Sequence, residues 1–92
     1  MNARTASGDT PLHMACKLSN FELVELLTTM PETFVDIEDS KGNTPLHFAA
    51  QTGNLKIIQH LCKNKEANPL IPNMSRQIAR DLAGDLAIKT YL

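Results

Sequence analysis

The sequence predicts an all-α fold in which short helix–turn–helix units stack into a solenoid. The segment GDTPLHMA at residues 8–15 returns as GNTPLHFA at residues 42–49, an offset of 34 residues. The apolar residues that follow each segment recur at the same offset. A fixed period of about 20 to 50 residues is the sequence signature of repeat architectures. The 92 residues are therefore predicted to form one domain, with repeats at approximately residues 5–38, 39–72 and 73–92.

The first helix of each repeat is predicted to begin at a Thr-Pro pair. Thr10 and Thr44 stand directly before Pro11 and Pro45. Threonine is favoured at the N-cap of a helix, and proline is favoured at the first helical position. These pairs predict first helices over about residues 11–17 and 45–51.

The second helix of each repeat is predicted from an apolar stripe. Leu55, Ile58 and Leu61 recur at the spacing of an amphipathic helix. The pattern predicts second helices over about residues 21–28 and 55–63, each followed by a proline that cannot continue the helix. Residues 35–41 and 69–75 are then predicted as extended loops or hairpins that link the repeats.

The third repeat is degenerate but in register. RDLA at residues 80–83 lies opposite LHFA at residues 46–49. Arg76 stands where the first two repeats have a turn glycine, and Ile78 replaces the capping threonine. The terminal unit of a solenoid is expected to be irregular, with a solvated outer face. We interpret this repeat as a C-terminal cap.

The charge and cysteine content exclude several classes of protein. Nine Lys and Arg against ten Asp and Glu give a net charge of −1, which argues against binding to nucleic acid or to an anionic membrane. No apolar run approaches the roughly 18 residues of a membrane span. Two cysteines are too few for a disulfide framework, so we expect an intracellular protein, cytoplasmic or nuclear.

His13, Cys16 and His47 are the candidates for a metal or catalytic site. A zinc site needs three or four ligands, and Ala50 stands where Cys16 would repeat. Nucleophilic catalysis needs a base and a group that stabilises the oxyanion. These groups usually lie in a deep pocket, and short repeat helices offer none. We predict no enzymatic activity, no metal and no cofactor.

The repeated T-P-L-H-x-A motif resembles that of the ankyrin-repeat family, whose unit is a β-turn and two helices. The resemblance covers essentially the whole chain, and residues 78–83 resemble the family's capping form T-A-x-D-L-A. It implies an ankyrin-repeat solenoid of stacked helix–turn–helix units linked by β-hairpin-like loops. It also implies that His13 and His47 are structural, tying the start of each first helix to the neighbouring loop.

The resemblance implies a protein partner, of unidentified kind, bound in a concave groove formed by the hairpin tips and the first helices. Leu18 and Met74 are apolar at positions expected to be exposed, so either could anchor a contact. Ser7, Ser75 and Gln77 are further tip positions. The residues predicted to contact the partner are Asp9, Lys17, Leu18, Glu38, Ser40, Lys41, Asn43, Gln51, Thr52 and Met74.

The N-terminal residues leave other functions open. Asn2-Ala3-Arg4 resembles the segment that joins two repeats in the family, and Leu12, Met14 and Leu23 resemble an internal repeat. We expect the chain to begin inside a longer array; the alternative is a short protein with a natural start at Met1. An uncapped first repeat could drive self-association. The chain could also be the regulatory or substrate-recruiting segment of a larger enzyme or of a channel.

Overall fold

A computed structural model describes residues 8–29, 35–65 and 67–92. Those residues form helices and turns, with no strand among them, so the all-α prediction is confirmed. A π-helical segment, His60–Asn64, continues α4 directly. The helices are α1 (Pro11–Lys17), α2 (Phe21–Thr28), α3 (Pro45–Thr52), α4 (Leu55–Gln59), α5 (Ala79–Leu82) and α6 (Leu86–Tyr91).

The helix starts agree with the predicted signals. Thr10 and Thr44 are the N-caps of α1 and α3. Asn20 and Asn54 cap the second helices, where their side-chain oxygens accept from the backbone N–H of Leu23 at 3.1 Å and from that of Ile57 at 3.2 Å. Such side-chain acceptors satisfy donors that have no partner within a helix.

The end of the second helix of repeat two differs from the prediction. We predicted α-helix to about residue 63, but the α geometry ends at Gln59 and the chain widens into the π-helical segment. Leu61 stays fully buried there, and its carbonyl accepts from the N–H of Ala67 at 2.9 Å. The wider π-helical turn thus keeps Leu61 buried and gives its carbonyl a partner at the helix end. The spacing of apolar residues in the sequence does not distinguish a π-helical turn from an α-helical one.

The repeats stack in chain order around an aliphatic core. First helix packs on first helix, α1 on α3 and α3 on α5, while α2 packs on α4. Ala15, Ala49 and Ala50 are fully buried, and these small side chains let the first helices approach closely. The large residues of the core are Leu12, Val24, Leu46, Ile57, Ile58, Leu61 and Ile88. None of the helices in the described ranges is long and apolar enough to cross a membrane.

The turn and the helix start of the third repeat keep the backbone conformation of the first two with different side chains, although α5 is shorter than α1 and α3. Arg76 has a φ of 61°, close to the 80° of Gly8 and the 79° of Gly42. An arginine therefore adopts the left-handed conformation that normally favours glycine. The N–H of Ile78 donates to the carboxylate of Asp81 at 3.0 Å, so Asp81 takes the capping position that a histidine holds in the other repeats.

Candidate binding groove

Two turns with the same internal hydrogen bonds precede α3 and α5. In the first, one carboxylate oxygen of Asp39 accepts from the backbone N–H groups of Lys41 and Asn43, both at 2.9 Å. In the second, the side-chain oxygen of Asn73 accepts from the N–H groups of Ser75 and Gln77, also at 2.9 Å. Asp and Asn side chains commonly fix turns in this way.

The two turns are also bonded to each other. The N–H of Met74 donates to the carbonyl of Lys41 at 3.0 Å, and the side-chain amide of Asn73 donates to the side-chain oxygen of Asn43 at 2.9 Å. An added Cβ at Gly42 would lie 2.9 Å from the Met74 nitrogen, closer than real Cβ contacts allow. Glycine is therefore what permits one turn to lie directly on the next.

The two histidines fasten each turn to the preceding first helix. Nδ1 of His13 accepts from the N–H of Thr10 at 3.0 Å, so this nitrogen carries no proton and Nε2 is the donor. Nε2 of His13 lies 2.8 Å from the carbonyl of Asn43. His47 repeats the arrangement with the N–H of Thr44 at 3.0 Å and the carbonyl of Gln77 at 2.8 Å. These contacts agree with the structural role that the resemblance implies for both histidines.

Chemistry at His13 and Cys16 is disfavoured by their surroundings. Burial lowers the pKa of His13 and raises the pKa of the Cys16 thiol to about 12. A neutral, buried thiol is a poor nucleophile and a poor metal ligand. Within residues 8–29, 35–65 and 67–92, no three His, Cys, Asp or Glu side chains are grouped so that they could hold a metal ion.

A pocket of about 170 Å³ lies between the two turns and the first helices behind them. It brings together Lys41, Asn43 and Gln51, which the sequence analysis predicted as partner contacts, and the tip residues Ser75 and Gln77. Its lining consists of Lys41, Asn43, Gln51, Asn73, Ser75, Gln77 and Leu82. We call this set the groove pocket.

Asp9 and Lys17 form an ion pair at the first-repeat end of the same surface. Asp9 was predicted to contact a partner, but the structure buries it, with 4% of the residue exposed. Its carboxylate accepts from the ammonium of Lys17 at 2.7 Å, and that ammonium lies 4.6 Å from the ring centroid of Phe48. Asp9 is thus placed to hold Lys17, whose side chain remains 36% exposed.

The other predicted contact residues within the described ranges are exposed and do not line the groove pocket. Leu18 follows the end of α1 with 67% of its surface exposed, and Met74 lies at the tip of the third-repeat turn with 76% exposed. Thr52 ends α3, and its hydroxyl donates to the carbonyl of Ala49 at 3.2 Å. Glu38 and Ser40 are exposed on the second-repeat turn. Ser7 lies outside the described residues.

Two residues that contact the predicted site residues were not predicted for these roles from the sequence. Phe48 packs its ring edge-on against His13, with the centroids 5.8 Å apart, and also underlies Lys17. Asn73 links both turns. The signal for Asn73 was available, because it follows the turn residue Asp39 by the repeat offset of 34. The role of Phe48 depends on how two helices stack, which the sequence does not show.

Comparisons with known proteins agree with this architecture. The sequence pattern of ankyrin repeats (3 copies) matches residues 1–73. No curated protein matches the chain. Among solved structures, a chain in the crystal structure of the yeast ribosomal protein Rps3 in complex with its chaperone Yar1 is 31% identical, with a TM-score of 0.87. The match covers 96% of this chain and 67% of that one. This chain belongs to the ankyrin-repeat family.

Proposed function

We propose that this protein is a protein–protein interaction module that binds a polypeptide segment in the groove pocket and along the adjoining first helices. The observation that carries the proposal is the position of Lys41, Asn43 and Gln51 around one pocket. Membership of the ankyrin-repeat family and the likeness to a chain from a chaperone complex support a protein partner.

The rigidity of the turns favours binding. Side-chain and backbone hydrogen bonds fix each turn and join it to its neighbour, from Asp39 on one side to Asn73 on the other. A surface that is ordered before the partner arrives loses less conformational entropy on binding. Leu18 and Met74 are largely exposed, and a bound segment that reaches either side chain gains an apolar contact.

The test compares two double variants of the full chain. Lys41→Ala with Gln51→Ala removes side chains from the groove pocket, while Glu25→Ala with Lys63→Ala removes exposed charges from the second-helix side and serves as the matched control. Each chain is used to isolate partners from a cell lysate, and calorimetry then measures the affinity of the identified partner for each chain.

We expect the groove variant to weaken binding roughly tenfold or more, which corresponds to about 1.4 kcal/mol, and the control to bind like the native chain. Equal midpoint temperatures of thermal unfolding for the two variants show that both remain folded. A partner that binds the groove variant with native affinity overturns the proposal.

The first repeat offers a second candidate function, self-association. In repeat two, Phe48 contacts His13, while Lys56 and His60 contact the ring of Phe21, at 4.8 and 5.7 Å. The residues 34 positions earlier are Met14, Glu22 and Leu26, which we call the open face.

Met14 is 39% exposed and Leu26 is 58% exposed, so the first repeat exposes positions that the second repeat uses to pack. Exposed apolar faces of this kind mark interaction sites. Analytical ultracentrifugation over a range of concentrations tests the idea: we expect a dimer that Leu26→Glu dissociates. A native chain that stays monomeric at high concentration eliminates this function.

A further inference from the structure

We propose that the groove pocket binds a carboxylate, namely the side chain of an Asp or Glu residue within the partner polypeptide. The inference rests on the proposed function of the groove and specifies its partner. It follows from which side-chain groups of the pocket donate hydrogen bonds and which accept them.

The orientation of the Asn73 amide decides which groups of the pocket are donors. The side-chain oxygen of Asn73 accepts from two backbone N–H groups, those of Ser75 and Gln77. Backbone N–H groups can only donate, so the atom between them must be the oxygen, and the other end of the amide must be the NH₂ group. This NH₂ group donates to the side-chain oxygen of Asn43 at 2.9 Å and to that of Gln77 at 3.3 Å.

Asn43 and Gln77 are oriented in turn. Because their oxygens accept from Asn73, their own NH₂ groups are the ends left to meet a ligand. Lys41, Ser75 and Gln51 belong to the same lining. Lys41 and the NH₂ groups of Asn43 and Gln77 offer a ligand only donors, with one positive charge among them, whereas Ser75 and Gln51 can each donate or accept.

No carboxylate lines the groove pocket among the described residues. The acidic residue of the neighbouring turn, Asp39, uses one oxygen to accept from two backbone N–H groups and is not part of the lining. Leu82 supplies an apolar wall, which strengthens the electrostatic interactions beside it.

A carboxylate is the complementary group. It only accepts hydrogen bonds, has about four acceptor positions, and forms stronger bonds than a neutral amide because it is charged. A glutamine side chain has one acceptor oxygen and no charge, and its NH₂ group makes no hydrogen bond with the donors of Asn43 and Gln77. A lysine or arginine side chain would meet both these donors and the charge of Lys41. The pocket thus favours an acidic segment.

The experiment is an NMR titration of the full chain with three terminally defined peptides. The probe is Ac-Ala-Glu-Ala-NH₂, its neutral match is Ac-Ala-Gln-Ala-NH₂, and Ac-Ala-Gln-Ala-OH carries its only carboxylate at the C-terminus. We expect the glutamate probe to shift the side-chain amide signals of Asn43 and Gln77 with millimolar affinity, at least about fivefold tighter than either comparison peptide.

Variants test the orientation argument. Asn73→Asp keeps the oxygen that accepts from Ser75 and Gln77, as Asp39 does in the neighbouring turn. It replaces the NH₂ group that orients the pocket with a second carboxylate oxygen and so also places a negative charge in the lining. We expect it to fold and to lose the preference for glutamate over glutamine. Thr90→Glu adds the same negative charge at an exposed site on α6 and should retain the preference.

The outcomes separate this inference from the proposed function. Equal binding of the glutamate and glutamine probes, or tighter binding of the C-terminal carboxylate, overturns the side-chain carboxylate proposal and leaves groove binding intact. Absence of any shift at Asn43 and Gln77 overturns it as well, even where partner capture depends on the groove. A glutamate preference without groove-dependent capture supports the carboxylate site and rejects the proposed function.

Discussion

Nε2 of His13 donates to the backbone carbonyl of Asn43 over 2.8 Å, across thirty residues of sequence. Since Nδ1 of the same ring accepts from the N–H of Thr10, the neutral imidazole is the form that the folded chain requires. A protonated ring would place an N–H against another N–H. The capping contact between His13 and Thr10 is therefore sensitive to acid.

Stability should fall as the pH is lowered from about 6.5. Burial lowers the pKa of His13 in the folded chain, whereas the unfolded chain protonates near the ordinary value of 6.5. The unfolded chain then binds more protons at this residue, so its contribution to stability is present above pH 6.5 and is lost toward the lower folded pKa. Urea unfolding of the native chain and of His13→Gln at several pH values measures the effect. An equal pH slope in the two chains contradicts it.

Leu46→Ala should destabilise the fold by about 2–5 kcal/mol, because the side chain is fully buried between repeats and its loss leaves a cavity. Leu18→Ala is the matched control, since that leucine is 67% exposed, and it should change the free energy of unfolding by less than about 0.5 kcal/mol. Urea denaturation measures both. Similar values for the two variants would mean that the packing register is wrong.

Gly42→Ala should destabilise more than Gly53→Ala. The two glycines have nearly the same φ, 79° and 78°, so the conformational strain on an added side chain is alike. The Cβ at position 42 meets the backbone of the next turn at 2.9 Å, whereas nothing lies within 4 Å of a Cβ at position 53. We expect Gly53→Ala to cost about 1 kcal/mol and Gly42→Ala clearly more. Thermal unfolding of the pair isolates the contact between turns, and equal losses would argue against it.

Lys17→Ala should destabilise by about 1–2 kcal/mol, because it removes the charged partner of the buried Asp9 carboxylate. The figure stays below that of a fully buried pair because the Lys17 side chain is 36% exposed. Lys41→Ala, at an exposed position, is the control and should be nearly neutral. Chemical denaturation distinguishes the two, and a neutral Lys17→Ala would show that the pair carries no stability.

The parts of the fold that were predictable depend on local chemistry. The bounds of α1 and α2 follow from Thr10 with Pro11 and from the cap Asn20, which act within a few residues. The π-helical segment and the burial of Asp9 were not predictable in this way. Leu61 bonds to Ala67 and Asp9 bonds to Lys17 in three dimensions, and the spacing of residues in the sequence does not show these contacts.

The candidate site was predictable to the same degree. Repeat position placed Lys41, Asn43 and Gln51 together around the groove pocket. The direction of the hydrogen bonds there depends on Asn73 bonding to both turns at once. Which amide groups donate depends on the contacts among Asn43, Asn73 and Gln77 in three dimensions, and the sequence shows only the spacing of these residues.

The left-handed backbone conformation of Arg76 affects how a further repeat or a second copy can pack on the third repeat. An added Cβ at Gly8 or Gly42 would lie 2.7 or 2.9 Å from the backbone nitrogen of the following turn, and Arg76 already carries that atom. Asp81 also replaces the imidazole whose N–H reaches the following turn, and an ionised carboxylate has no proton to donate. The third repeat therefore cannot receive another unit in the geometry that joins the first two.

Among the described residues, the surface proposed for a second copy of this chain is the open face of Met14, Glu22 and Leu26. Two copies that associate through it would meet like surface to like surface around a twofold axis. Such an interface is satisfied by two subunits, whereas a head-to-tail contact would propagate into a fibre. The proposed self-association is therefore expected to stop at the dimer.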